Sequence, residues 1–485
     1  TIIDTDNLNQ NIKLTKESTN INVKAKYTYI ARKYVQDGAS CTPVYERDLN
    51  GRITNKQSLE DIVKTVTYQI VINRKSNTGI TTTALELPSE LSETNDQFGF
   101  DISLGYTLAS SSIGAVVSAP HKQIVDNDNN LVANAGAAYL YTLNKQDEGD
   151  PLSETFWDLS EQLIAAQPDA GDKFGHSISI SNGLIAISAP GEDSFAQGVY
   201  PWIDENADGE NDNGPAEVSN TANSSGAVYL FKQVEDDEGV IAWQQIAFIK
   251  QPSMILGLNN YDIGFGEKVL LQDNLLLISA PKQMLTTSSE DDAEIVSSGV
   301  VYAYRFDKVM NTLTYITTIK PINPSSNQQF GQAISIFNDS IIIGAPGENN
   351  GAGGAHLYNP AGHFWEHANH FMASNANEED GYGASVALND NTLFIGASKE
   401  DSAGKNFNRN KNDNSLKNSG AVYGYSRNSS TTPWTEFVYI KSDLPQINAQ
   451  FGYSINFDDN ILIIGEPFRQ NVNASGKAYT YELND

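Results

Sequence analysis

Among its 485 residues the chain has one cysteine, Cys41. That excludes an internal disulfide and any cysteine-built zinc site. No apolar run approaches the ~20 residues that a membrane helix needs. No signal peptide is visible at Thr1, which is no argument for the cytoplasm. Basic residues are scarce: 31 Lys and Arg stand against 60 Asp and Glu, a formal net charge of −29. Nucleic acid and anionic lipid surfaces are therefore poor partners, whereas divalent cations suit such a chain. With 19% charged and 39% hydrophobic residues, the composition is that of a globular protein rather than a disordered one.

What is plentiful is Gly, Asn, Ser and Tyr, the vocabulary of short strands and tight turns. A Phe-Gly pair recurs at Phe98-Gly99, Phe174-Gly175, Phe265-Gly266, Phe330-Gly331 and Phe451-Gly452, with Tyr382-Gly383 as a sixth version. A second landmark follows each: Ser118-Ala119-Pro120, Ser188-Ala189-Pro190, Ser279-Ala280-Pro281, Gly344-Ala345-Pro346, Gly396-Ala397-Ser398 and Gly465-Glu466-Pro467. The third is "GAAYLY" (136–141), "GAVYLF" (226–231), "GVVYAY" (299–304), "GAHLY" (354–358), "GAVYGY" (420–425) and "GKAYTY" (476–481). In this alignment Leu357 stands where the other copies have Tyr. The fourth is an aromatic opening another alternating run, at Trp157, Trp243, Tyr315, Trp365 and Trp434.

Each unit thus carries four short strands of period two. Asn182-Gly183 suits a two-residue primed turn. The Phe can fill the gap between units while its Gly permits close backbone approach. Pro after the second strand stops the ladder. One four-stranded sheet cannot bury both faces alone, and stacking units around an axis gives an all-β β-propeller.

The Phe-Gly … Gly-Ala-Pro pattern resembles the FG-GAP repeat of integrin α-subunit propellers. It is closest to bacterial secreted proteins with "GAP-EDS … NSGAVYVF"-type units, here Ala189-Pro190-Gly191-Glu192-Asp193-Ser194 and Asn418-Ser419-Gly420-Ala421-Val422-Tyr423. The resemblance covers roughly residues 80–485, so six units fall within 91–485. It implies seven blades, an extracellular setting and a binding role. The last unit stops after its third strand, Lys477–Leu483. A degenerate blade within 1–90, with Val66–Ile70 as a third strand and Asn11–Thr15 closing the ring, gives seven. Six blades closed by Ile80–Leu87, beside a small N-terminal β-domain, is the alternative.

Turns between strands one and two are short: Asn182-Gly183, Asp273-Asn274, Asn338-Asp339, Asp458-Asp459. They are too short for the integrin-type calcium loop, so those metal positions do not carry over. Loops between strands two and three are long, at about 121–135, 191–225, 282–298 and 399–419, and emerge on one face, the candidate binding surface. Within the longest, "DENADGEND" alternates Asp204, Asn206 and Asp208 before Gly209 and Asp212, the spacing of a calcium loop with Glu210 offering a backbone oxygen. Asp126, Asp128 and Asn130 form a weaker set without the Gly. The pairs Glu192-Asp193 and Glu400-Asp401 are expected either to cap loops or to help hold ions. Trp202, beside Tyr200 and the calcium-like segment, suits carbohydrate stacking or a partner contact, with a loop mini-core as the equal alternative. His363, His367 and His370 fall on a fourth strand and read as surface histidines.

Gly-x-Ser-x-Gly, His-Glu-x-x-His and phosphate-loop patterns are missing, and sialidase-type boxes with them. The reading that follows is a monomeric, calcium-stabilised propeller, secreted or on a cell surface, that binds a protein or glycan without catalysis. A carboxylate-dependent polysaccharide hydrolase or lyase, and a structural spacer in a larger adhesin, are the alternatives.

Overall fold

The computed structural model describes backbone at 21–28, 34–37, 40–43, 67–76 and 79–80, and single residues between 85 and 91. It then describes 95–107, 113–126, 129–145, 155–201, 221–235, 241–252, 262–286, 295–408, 410–458, 460–471 and 474–483.

Each repeat folds into one antiparallel sheet whose strands pair in chain order. Blade one comprises Ile102–Tyr106, Ile113–Ala119, Ala137–Lys145 and Thr155–Leu163. Blade two comprises Ile178–Ser181, Leu184–Ala189, Ala227–Glu235 and Ile241–Ile249, with Val199–Pro201 added outside the last. Blade three comprises Val269–Gln272, Leu275–Ala280, Val300–Asp307 and Thr312–Ile319. Blade four comprises Ala333–Phe337, Ser340–Ala345, Gly354–Ala361 and Phe364–Phe371. Blade five comprises Tyr382–Asn389, Thr392–Ala397, Ala421–Ser426 and Thr435–Ile440. Among the described residues blade six has three strands, Ser454–Asp458, Ile461–Asn471 and Ala474–Glu482. The first strands of successive blades lie against one another, so the six sheets form a β-propeller array.

The local chemistry explains why. Asn182 (φ 48°) and Gly183 (φ 77°) are both left-handed, the condition for a two-residue type I′ hairpin. Second strands are apolar on both faces because each face meets a neighbouring blade: Leu184–Ala189 and Leu275–Ala280 are buried throughout. Phe174, Phe265, Phe330, Tyr382 and Phe451 are fully buried. Gly175 shows what the glycine does: its φ is +95°, and a Cβ there would meet Ala137 O of the preceding blade at 2.9 Å. In blades one to five the third and fourth strands share a bulge at the same repeat position, between Leu140/Tyr141, Leu230/Phe231, Ala303/Tyr304, Leu357/Tyr358 and Gly424/Tyr425. A bulge increases local twist.

First strands are sheet edges, whose N–H groups need partners. Serines of the neighbouring blade supply them. Leu271 N donates to Ser179 Oγ at 2.9 Å, Asp273 N to Ser181 Oγ at 3.0 Å and Leu388 N to Ser335 Oγ at 3.1 Å.

The described propeller has six blades, so the seven-blade count gives way to its alternative. Near the N-terminus, Ile21–Thr28 pairs with Thr67–Ser76, which contains Tyr68, and that strand pairs with Gly79–Ile80. Tyr34–Asp37 and Ser40–Pro43 form a separate hairpin. Among the described residues, none of these strands pairs with the third strand of blade six. Ile80, expected to open a closing strand there, instead faces Lys75. Asn11–Thr15 lies outside the described residues. No described helix is long and apolar enough to cross a membrane.

Candidate binding face

The long loops leave from second strands and return to third strands. Three residues beyond the middle of each Ala-Pro landmark stands a polar side chain: Lys122, Glu192, Gln283, Glu348, Glu400 and Arg469. These positions lie at the loop roots, just after the second strands in blades one to five and within the second strand in blade six.

Blades two and five treat the position alike. Lys250, after the fourth strand, forms a buried ion pair with Glu192 and donates to Ser225 Oγ at 2.7 Å. Ser225 Oγ in turn donates to Ser194 O at 3.1 Å, and Ser194 N donates to Glu192 Oε1 at 3.0 Å. In blade five Lys441 pairs with Glu400 at 2.6 Å and donates to Ser419 Oγ at 2.7 Å. Tyr439 Oη donates to Glu400 Oε1 at 2.8 Å, and Ser419 Oγ donates to Ser402 O at 2.8 Å. Glu192 and Ser194 begin the loop at 191–225 and Ser225 ends it; Glu400, Ser402 and Ser419 do the same for 399–419. Each long loop is therefore clamped at both stems by one lysine. The acidic pairs divide accordingly: Glu192 and Glu400 are held by lysine, while Asp401 Oδ1 accepts from Asn418 N at 2.7 Å. Burial, then the Glu192 charge, raises the carboxyl of Asp193.

Two further carboxyls press on these clamps. Asp172 and Asp380 each stand two residues before the landmark aromatic and are buried. Burial pushes each up to about 7, helped by the neighbouring charges of Glu192 and Asp193 in one case and Glu400 and Asp401 in the other. Burial also pushes Lys250 and Lys441 down, and their glutamates oppose this.

The other blades vary the theme. Lys122 lies 3.4 Å from Asp96, a pair of reversed sense. Gln283 Oε1 accepts from Tyr302 Oη at 3.0 Å. Arg469 meets Asp443 at 2.8 Å.

Blade four departs furthest. Ala345 pairs with Gly354 as Ala189 pairs with Ala227, so Gly353, not Gly354, occupies the repeat's glycine position. The third-strand tyrosine is consequently replaced by His356, not by Leu357 as the sequence alignment placed it. Phe330 packs on His356 and Tyr358 at 5.6 and 6.0 Å, as Phe174 packs on Tyr229 and Phe231. His356 Nε2 lies 3.0 Å and His370 Nε2 3.2 Å from Glu348 Oε2. Burial opposes the Glu348 charge, but the two imidazoles outweigh it and hold the carboxyl at about 2. His367 Nε2 is 3.4 Å from His356 Nδ1. His363 stays apart and exposed. Sequence reading therefore found two of three clustered histidines and missed His356 and Glu348. The bulge position, two residues beyond His356 as it is beyond Tyr229, is the signal that corrects the register.

Of the other sequence-expected residues, Asp126 accepts from Asn130 N at 2.7 Å and from its side-chain amide at 3.0 Å, closing a turn. Tyr200 packs against the blade-two core, 6.2 Å from Phe248. Trp365 donates to Asp339 O at 2.7 Å, tying the fourth strand to the first turn. Asp128, Trp202, Asp204, Asn206, Asp208, Glu210 and Asp212 lie outside the described residues.

The blades and their landmarks define a repeat propeller. Residues 157–200, 316–358 and 365–425 match the FG-GAP repeat family, and these repeats lie within the β-propeller array. No curated protein matches the chain. Among solved structures, the crystal structure of Sqt1 from Chaetomium thermophilum is similar over 77% of this chain and 67% of its own, at 10% identity and a TM-score of 0.38.

Proposed function

We propose that this propeller is an extracellular binding module whose long-loop face recognises a protein or glycan. FG-GAP propellers are in general modules of the binding and adhesion type. The observation that carries the reading is the double-stem clamp of the loops at 191–225 and 399–419 by Lys250 and Lys441. Fixing both stems lowers the entropy lost when a loop meets a ligand. Rigid scaffolds with long loops are where recognition residues concentrate. On this reading Trp202 contacts the ligand, and Asp204, Asn206, Asp208, Glu210 and Asp212 hold calcium that orders the loop tip.

The test is a glycan array and a panel of immobilised extracellular proteins, probed in calcium and in chelator. A second chain, with 203–219 replaced by a short Gly-Ser linker, is probed alongside. Saturable binding lost in the linker variant, with its melting temperature no lower than that of the wild type in chelator, supports the reading; equal binding by both chains overturns it. Calcium held only by the folded chain adds about 2.7 kcal/mol at a hundredfold excess over Kd, so chelation should lower the melting temperature.

A further inference from the structure

Four positions of blade four change together relative to blades two and five. Gly354 stands where the register puts Ala227 and Ala421. His356 stands in place of Tyr229 and Tyr423, and His370 in place of Phe248 and Tyr439. Met372 follows the fourth strand where Lys250 and Lys441 do. The glutamate is kept, as Glu348. The blade has lost the ammonium that neutralises the buried carboxylate elsewhere and gained two imidazoles facing it.

We propose that Glu348, His356 and His370 form a binding site for a divalent transition metal of the zinc class. Their ligand atoms lie within 4.8 Å of one another. Zinc bonds of about 2.0–2.1 Å at tetrahedral angles separate ligand atoms by about 3.3 Å. The two Glu–His separations, 3.0 and 3.2 Å, already approach that edge. An imidazole-rich donor set with one carboxylate suits zinc and its neighbours rather than calcium, which takes oxygen.

The surroundings are those of a prepared ligand set. His356 is buried, with its Nδ1 directed at His367 Nε2. A hydrogen-bond partner on the second ring nitrogen of a ligating histidine fixes its tautomer and ring orientation. A Cβ at residue 354 would fall on Glu348 Oε2 and lie 2.8 Å from His370 Nε2, so the missing side chain makes the room. The His356 and His370 rings are nearly parallel, 11° apart with centroids at 4.4 Å. A metal lying in the plane of both needs one ring to turn. His370, the more exposed at 31% of its side chain against 5%, is the one with freedom to do so. Three protein ligands leave a fourth position for water or for a donor from a binding partner.

The experiment is zinc titration of the full chain by calorimetry, with cobalt(II) absorption reporting ligation, for the wild type, His370→Ala and Gly354→Ala. Gly354→Ala keeps all three ligand residues, crowds Glu348 and His370 with its Cβ, and installs the residue that blades two and five carry. The expected result is one saturable site in the wild type, weakened at least tenfold in both variants, with the intense visible bands of four-coordinate cobalt lost in both. Excess calcium should leave the site unchanged. No saturable zinc binding by the wild type, or equal affinity in His370→Ala, would overturn the proposal. Circular dichroism melts establish that each variant is folded. If Gly354→Ala unfolds, His370→Ala, at the exposed position, decides alone.

Discussion

Blades four and five share backbone, bulge and loop-root glutamate, yet surround that glutamate with different partners. In blade five an ammonium with 0% side-chain exposure faces a carboxylate with 1%. In blade four the lysine position holds Met372, and imidazoles face the glutamate at a more open site. The aspartate that crowds the blade-five clamp, Asp380, is Gln328 in blade four. The repeat thus specifies where a polar group must sit under the loop, while leaving its partner free to vary. The backbone does not depend on which partner is used, because strand pairing and inter-blade packing are set elsewhere in the unit.

The largest expected effect comes from breaking the clamp of blade five. Lys441→Met copies blade four but leaves Glu400 buried without a countercharge, which should destabilise the chain by about 3–5 kcal/mol. Thermal or urea denaturation measures this. Adding Glu400→Gln should recover most of the loss, since a neutral amide needs no countercharge. A double variant as unstable as the single would mean that packing, not charge, sets the cost.

A smaller effect of opposite sign is expected at Asp380. Its folded pKa of about 7 exceeds the ~3.9 of an unfolded aspartate. Its contribution therefore favours folding fully below about pH 4 and is lost as pH rises through about 7. Asp380→Asn should raise stability at pH 8 by about 1–3 kcal/mol and have little effect at pH 4. Melting curves across pH 4–8 would contradict this if the gain were independent of pH.

The smallest effect on stability tests the converse exchange. Met372→Lys brings an ammonium to the edge of blade four, where Met372 is half exposed. Partial exposure limits the new ion pair with Glu348 to about 0–1 kcal/mol. It should nonetheless compete for the carboxylate and diminish the zinc-induced rise in melting temperature. An undiminished rise would show that the introduced ammonium does not reach Glu348.

Much of this was legible before any coordinates. The Phe-Gly and Ala-Pro landmarks placed the second strands of the blades, and Asn182-Gly183 announced its turn type. The tryptophans marked fourth strands, and Trp365 and Trp243 lie within theirs. These are local signals, carried by period-two alternation and by residues whose own backbone preferences decide the outcome. The sequence also pointed to the loop roots, through "GEDS" and "NSG", without naming what they bind.

By itself, then, the sequence determined the repeat, the four-strand unit and the length of each loop. Only the tertiary structure decided which loop-root groups meet. Glu192 and Lys250 are 58 residues apart, and Glu348 and His370 are 22 apart. Their encounter depends on cross-strand register. In blade four, adjacent Gly353 and Gly354 made that register ambiguous in the sequence, and a slip of one residue exchanges the faces of a strand. The pairing of Ala345 with Gly354, and the bulge beyond His356, settled that His356 rather than Leu357 faces the glutamate.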